Sequence, residues 1–134
     1  NAAGSTVWYQ DMGIGGSSQK GDRFGRSVAS GDFNKDGYDD LAIGVIGEAI
    51  GDKSNAGAVN VLYGSSSGLN AAGSTVWYQD MGIGGSSEIA DYFGYSVASG
   101  DFNKDGYDDL AIGVPGEAIG NKFDAGAVNV LYGM

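Results

Sequence analysis

Two identical nine-residue stretches carry the chemistry of this chain: Asp32-Phe33-Asn34-Lys35-Asp36-Gly37-Tyr38-Asp39-Asp40 and its copy over 101–109. Oxygen-bearing side chains stand at the first, third, fifth and ninth places of each, with glycine at the sixth. A hard cation such as Ca2+ takes about six to eight oxygens from a loop able to wrap it. Asp32, Asn34, Asp36 and Asp40 supply side-chain donors and Tyr38 a backbone carbonyl. Asp101, Asn103, Asp105, Tyr107 (carbonyl) and Asp109 repeat the set. Gly37 lets the chain turn without a Cβ penalty. An EF-hand opens the same way, but needs a Glu at its twelfth place and flanking helices. That place holds Ile43, among glycines and β-branched residues. Asx-Gly runs also make ordinary turns. Three Asp and one Asn at ligand spacing, offset by Lys35 alone, favour the metal. The spacing predicts one Ca2+ per repeat, two per chain, in a loop between strands.

The elements that position these loops are strands. The 134 residues amount to one domain's worth of chain. Twenty-six glycines, one proline and no segment of 3.6-residue periodicity argue for an all-β fold. No apolar run is long enough for a membrane-spanning helix. The charged-then-apolar pattern of a signal peptide is also missing from the start, and the expectation is a processed or trimmed piece. Net charge is −10, from 17 acids against 7 bases, which argues against nucleic acid or an anionic membrane as partner. Absence of cysteine removes disulfides and thiolate metal sites. Absence of histidine removes His-based triads and imidazole zinc sites.

An internal repeat sets the organisation. Residues 1–65 align without a gap on 70–134, a shift of 69, and differ at ten positions. The units are taken as 1–69 and 70–134. In the first, strands are expected at Ser5–Gln10, Phe24–Ser30, Asp40–Val45 and Ala58–Tyr63, the last alternating as a half-buried strand should. Ser65–Gly73 reads as a connection. The second unit places its strands at Ser74–Gln79, Phe93–Ser99, Asp109–Val114 and Ala127–Tyr132.

Phe24-Gly25 and Phe93-Gly94, the Asp-x-Asn-x-Asp-Gly-x-x-Asp loop, and Gly44-Val45-Ile46 and Gly113-Val114-Pro115 together resemble the FG-GAP repeat of integrin α-subunit β-propellers. The departure is small: the last tripeptide of the motif reads GVI in one copy and GVP in the other. The resemblance implies four-stranded antiparallel blades, seven to a ring in integrin-like propellers, and calcium bound by the residues already named.

Two blades cannot close a ring, since propellers take roughly four to eight. The expectation is therefore a homo-oligomer: three chains give six blades, four give eight. If Phe24–Ser30 is innermost, Ser5–Gln10 is a rim strand arriving ahead of its own blade. It should complete the last blade of a neighbouring chain by strand exchange, because an open strand edge invites pairing.

Loops then sort onto two faces, the calcium loop with Ser65–Gly73 at one end and 11–23 with 46–57 at the other. Apart from Ser65/Met134, every difference between the units lies at or beside the second pair. Arg23, Arg26, Asp52, Asn55, Tyr92, Tyr95, Phe123 and Asp124 are the candidate ligand face, suited to a protein or carbohydrate. Trp8 and Trp77 read as packing residues. Relaxed constraint on loops explains the same differences without a ligand. Three functional readings follow. The first is a calcium-stabilised adhesion or ligand-binding scaffold without enzymatic activity, in an extracellular or cell-surface setting where calcium is millimolar. The second is a lectin-like propeller, by fold analogy. The third is a carboxylate-dependent hydrolase in which Glu48 and Glu117 approach Asp22 and Asp91. Near-identity of the units is also what an engineered or recently amplified repeat would show.

Overall fold

The computed structural model describes residues 4–133. Seven strands form two antiparallel sheets: β1 Phe24–Gly31, β2 Asp40–Val45, β3 Ala58–Tyr63, β4 Asn70–Trp77, β5 Val97–Gly100, β6 Asp109–Val114 and β7 Ala127–Leu131. The first sheet runs β1-β2-β3-β4 and the second β5-β6-β7. Among the described residues no helix is long and apolar enough to cross a membrane.

The local reasons are plain. Asp-Leu-Ala-Ile-Gly-Val is apolar on both faces because β2 and β6 are central strands, and most of their residues are buried. Gly25 and Gly94, at φ of 90° and 92°, bend the entry to the inner strands, a conformation glycine adopts without steric cost. In the first sheet this appears as a register shift between Phe24 and Ser27. In the second, the regular ladder begins at Val97 instead of the expected Phe93. Phe93 makes an isolated parallel bridge to Gly57, just ahead of β3.

One sequence behaves in two ways. Ser74–Gln79 was expected as a strand and most of it is one: β4 pairs with β3 at Trp77↔Val59, Val76↔Asn60 and Thr75↔Val61. Its identical copy Ser5–Gln10 has no ladder among the described residues. A strand needs an edge to bond to, and β4 already occupies the outer edge of β3. The strand that completes the first sheet thus comes from the second repeat, and the second sheet stops at three strands. The Ser65–Gly73 connection is shorter than expected because β4 starts at Asn70.

The sheets pack face to face through Ala42, Val59 and Val61 of the first and Phe93, Leu110, Ile112 and Val114 of the second, with Phe33 at the Asp-loop end. Tyr92 and Phe93 amides donate to the Asn55 and Ala56 carbonyls at 3.0 and 2.9 Å. Closeness explains two glycines. A Cβ at Gly57 would lie 2.2 Å from the Phe93 carbonyl oxygen, and one at Gly44 would lie 2.0 Å from that of Gly94. A second cluster, Ile14, Ile43 and Leu62 with Trp8 and Phe24, lies on the outward face of the first sheet.

Phe93 is fully buried between the sheets. Phe93→Ala is expected to cost about 3–5 kcal/mol, read as a lowered urea midpoint. A loss below about 1 kcal/mol would mean that the sheets do not pack as described.

Candidate metal centre and the opposite loop face

Each Asp-rich loop links an inner strand to a central one, β1 to β2 and β5 to β6. Its form is imposed by its own side chains. Asp32 accepts the Asp36 and Gly37 amides at 3.0 and 2.8 Å, and Asp36 accepts the Tyr38 amide at 3.0 Å. Lys35 at φ 62° and Gly37 at φ 90° take the left-handed conformations the loop needs. Asp40 is buried and bonds the Phe33 amide at 2.8 Å and the Gly64 amide at 2.9 Å, tying the loop to the exit of β3. The second loop repeats this. Asp101 accepts Asp105 and Gly106 amides, Asp105 accepts that of Tyr107, and Asp109 accepts those of Phe102 and Gly133. Burial raises the Asp40 carboxyl above the ordinary carboxylate range; the Gly64 and Phe33 amides oppose this, and the Asp36 and Asp32 charges add to it.

The donor set suits a hard cation on one further observation. Asn34 Oδ1 is buried and has no hydrogen-bond partner among the described residues. A buried orphan acceptor costs about 1–3 kcal/mol, and it stands at the third ligand place. Oxygens from Asp32, Asn34, Asp36, Tyr38 and Asp40 are the right chemistry for Ca2+. The two loops also touch: Asp32 and Asp108 exchange bonds at 2.8 and 3.0 Å, and Lys35 Nζ reaches the Asp105 carbonyl at 3.2 Å.

On the other face, loops 11–23 and 46–57 meet as expected, the Gly47 amide donating to the Asp22 carbonyl at 2.9 Å. Arg23, Asn55, Tyr92 and Tyr95 line one groove of about 420 Å³ with Gly21, Ile46 and Gly47. The Arg26 guanidinium lies 4.2 Å from the centre of the Tyr95 ring, a cation–π contact. Arg23, Asn55, Tyr92 and Asp124 all have φ between 54° and 59°. Asn and Asp tolerate that region; for Arg and Tyr it is uncommon. Phe123 and Asp124 border a separate depression with Lys53, Glu88 and Asp91. Asp52 lies apart, paired with Lys53 at 2.8 Å on the exposed surface.

Among the described residues, one group of three carboxylates comes within 4.8 Å: Glu88, Asp91 and Glu117, not the Asp loops. The approach of Glu117 to Asp91 was expected; Glu88 as third member was not. Its signal lay in the repeat difference Gln19/Glu88. Asp91 accepts the Glu88 amide at 2.9 Å, and Glu117 accepts the Gln79 side-chain amide. The first unit shows the counterpart, the Gln10 side-chain amide donating to Glu48 at 2.6 Å. Burial pushes Asp91 up to about 6, the Glu88 amide opposes this, and the Glu117, Glu88 and Asp124 charges add to it. Glu48 is raised by burial, with its Gln10 bond opposing and the Asp22 charge adding.

The chain matches the FG-GAP repeat at residues 24–62 and 93–131. It is 35% identical over 111 residues to rat phosphatidylinositol-glycan-specific phospholipase D, covering 83% of this chain and 13% of that protein. It is 37% identical over 115 residues to mouse integrin alpha-8, covering 84% of this chain and 10% of that one. With Xenopus laevis integrin alpha-5 the identity is 38% over 92 residues, 69% of this chain and 7% of that protein. The chain spans about a tenth of the length of these relatives.

The raised Asp91 carboxyl has a definite sign. Between its unfolded value of 3.8 and about 6, the folded chain holds a proton that the unfolded chain has released. Stability from this group therefore falls as pH rises through that window, by up to about 3 kcal/mol, and is flat above it. Asp91→Asn, whose side-chain oxygen can still accept the Glu88 amide, should be closer to wild type at pH 4.5 and more stable than it at pH 7.5. Urea midpoints at fixed calcium measure this. An unchanged wild-type-minus-variant difference across the two pH values refutes it.

Proposed function

The chain belongs to the FG-GAP repeat family, and on that premise we propose that it is a non-enzymatic, calcium-binding pair of propeller blades. Further copies of the chain complete the ring, and a ligand-binding surface lies opposite the calcium loops. The observation carrying the metal reading is the orphaned Asn34 Oδ1 within a loop whose other donors are all oxygens. Ca2+ would neutralise the loop carboxylates and so add metal-binding energy to folding. Asp32, Asn34, Asp36, Tyr38 and Asp40 would hold one ion, and Asp101, Asn103, Asp105, Tyr107 and Asp109 the other. Loops of this kind suit the millimolar calcium of extracellular fluid, which supports an extracellular or cell-surface location.

The groove at Arg23, Tyr92 and Tyr95 supports the ligand surface. Amphipathic rings and guanidinium groups are what protein and carbohydrate recognition uses. A carboxylate-dependent hydrolase is favoured by the closeness of Asp91 and Glu117. Against it, both acids are buried and each already holds a protein donor. Sharing a repeat with a protein named a phospholipase D transfers no catalytic residue, because the match covers 13% of that protein.

Calorimetry should find two Ca2+ per chain, and Asp36→Ala with Asp105→Ala should abolish both. At a hundredfold excess over Kd, each site should add about 2.7 kcal/mol of stability. Native mass spectrometry should find a trimer or tetramer that dissociates or unfolds with EDTA. A calcium-indifferent monomer would overturn the reading.

A further inference from the structure

The two sheets share the sequence Ala-Val-Asn-Val-Leu-Tyr in β3 and again from Ala127 to Tyr132, yet differ sharply in burial. Val59 and Val61 are 0% and 3% exposed; Val128 and Val130 are 67% and 37%. The difference lies in what covers them: β4 on the edge of β3, and Phe93, Leu110 and Ile112 against its face. The chain carries a second copy of that cover. Ser5–Gln10 is identical to Ser74–Gln79, and Phe24, Leu41 and Ile43 correspond to Phe93, Leu110 and Ile112. It cannot reach β7 within its own chain, because that cover belongs to the opposite face of the first sheet.

Resting on the ring reading above, we propose that the open edge and face of the second sheet are the docking site for the first repeat of a second copy of this chain. The register is that of β3 with β4 moved on by one repeat. Trp8 of the incoming copy pairs with Val128, Val7 with Asn129 and Thr6 with Val130. Its Arg23 and Phe24 amides donate to the Asp124 and Ala125 carbonyls, as those of Tyr92 and Phe93 do to Asn55 and Ala56 within the chain.

The positions that differ between repeats support the same partner. Within the chain, Asn55 meets Tyr92. Across the proposed junction Asp124 replaces Asn55 and the incoming Arg23 replaces Tyr92, so a neutral pair becomes a pair of opposite charges. Arg26 stacks on Tyr95 within the chain. Across the junction Tyr95 meets the incoming Arg26, and the inner ring alternates Arg and Tyr. Such complementarity sets partner and register. Each contact is heterologous, joining the second repeat of one copy to the first of the next, and closes into a ring when the rotation allows.

The chain has no cysteine, so a paired Thr6→Cys, Val130→Cys variant reports the register directly. Oxidation should give a non-reducing ladder of covalent multimers ending at the native ring size. Thr6→Cys with Leu131→Cys, whose side chains fall on opposite sheet faces, should give none. Asp124→Arg should raise the concentration for half-dissociation at least about tenfold, and adding Arg23→Asp should recover most of it. A wild-type ring that yields no Thr6–Val130 crosslink, and persists when residues 1–10 are deleted, overturns this docking mode and leaves the ring reading standing. A crosslink within a single chain overturns the docking mode. A monomeric wild type overturns the ring reading, and the docking mode falls with it.

Discussion

A β-strand at a sheet edge presents unpaired amides and carbonyls, and this chain is arranged around where that edge falls. The repeat in the sequence and the blade in the structure are out of phase by one strand. β4 is written in the second unit and bonded into the first sheet. Two blades are thereby fastened along their rims as well as through the Phe93 core. Among the described residues the same offset leaves Ser5–Gln10 without a ladder and the second sheet with three strands.

At the other end of the strands, charge is handled by geometry. Eight acids crowd the two Asp-rich loops, and most loop carboxylates are occupied by backbone amides that fix the turn. Asp40 and Asp109 each span two segments: the start of the loop, and Gly64 or Gly133 beyond β3 or β7. Amide bonds position the oxygens but leave net negative charge unneutralised: each loop sets one lysine against four acids, and Lys35 is turned onto the neighbouring loop and the Tyr107 ring. Loop geometry and blade packing are therefore coupled, since Asp32 and Asp108 link the loops directly.

Much of this was legible in the sequence, and the failures are instructive. The central strands β2 and β6 lie where their apolar runs place them. The turn residues of the Asp loops fall at the places where the backbone goes left-handed. Ser5–Gln10 did not follow its copy into a strand, because strand formation is a property of a pair and the sequence of one member cannot supply the other. The late start of β5 goes with Phe93, which bridges to Gly57 of the first repeat where its copy Phe24 pairs with Val45 of its own sheet. Glu88 was missed as a partner of Asp91 and Glu117 because those three acids are brought together only when the 80–92 loop folds back over the 114–118 turn.

The most informative residues are those where a near-perfect repeat departs from itself. Identical units would make every junction the same, so chains could join at any repeat, and nothing would distinguish a contact within a chain from one between chains. Arg at 23 and 26 and Tyr at 92 and 95, with Asn55 in one unit and Asp124 in the other, would make the two kinds of junction chemically different. The costs are visible: Arg23 and Tyr92 both hold left-handed backbone conformations that a glycine would adopt with less strain. Strain retained at both members of a substituted pair points to side chains that are needed there. In the proposed ring, those few positions would distinguish a junction within a chain from one between chains.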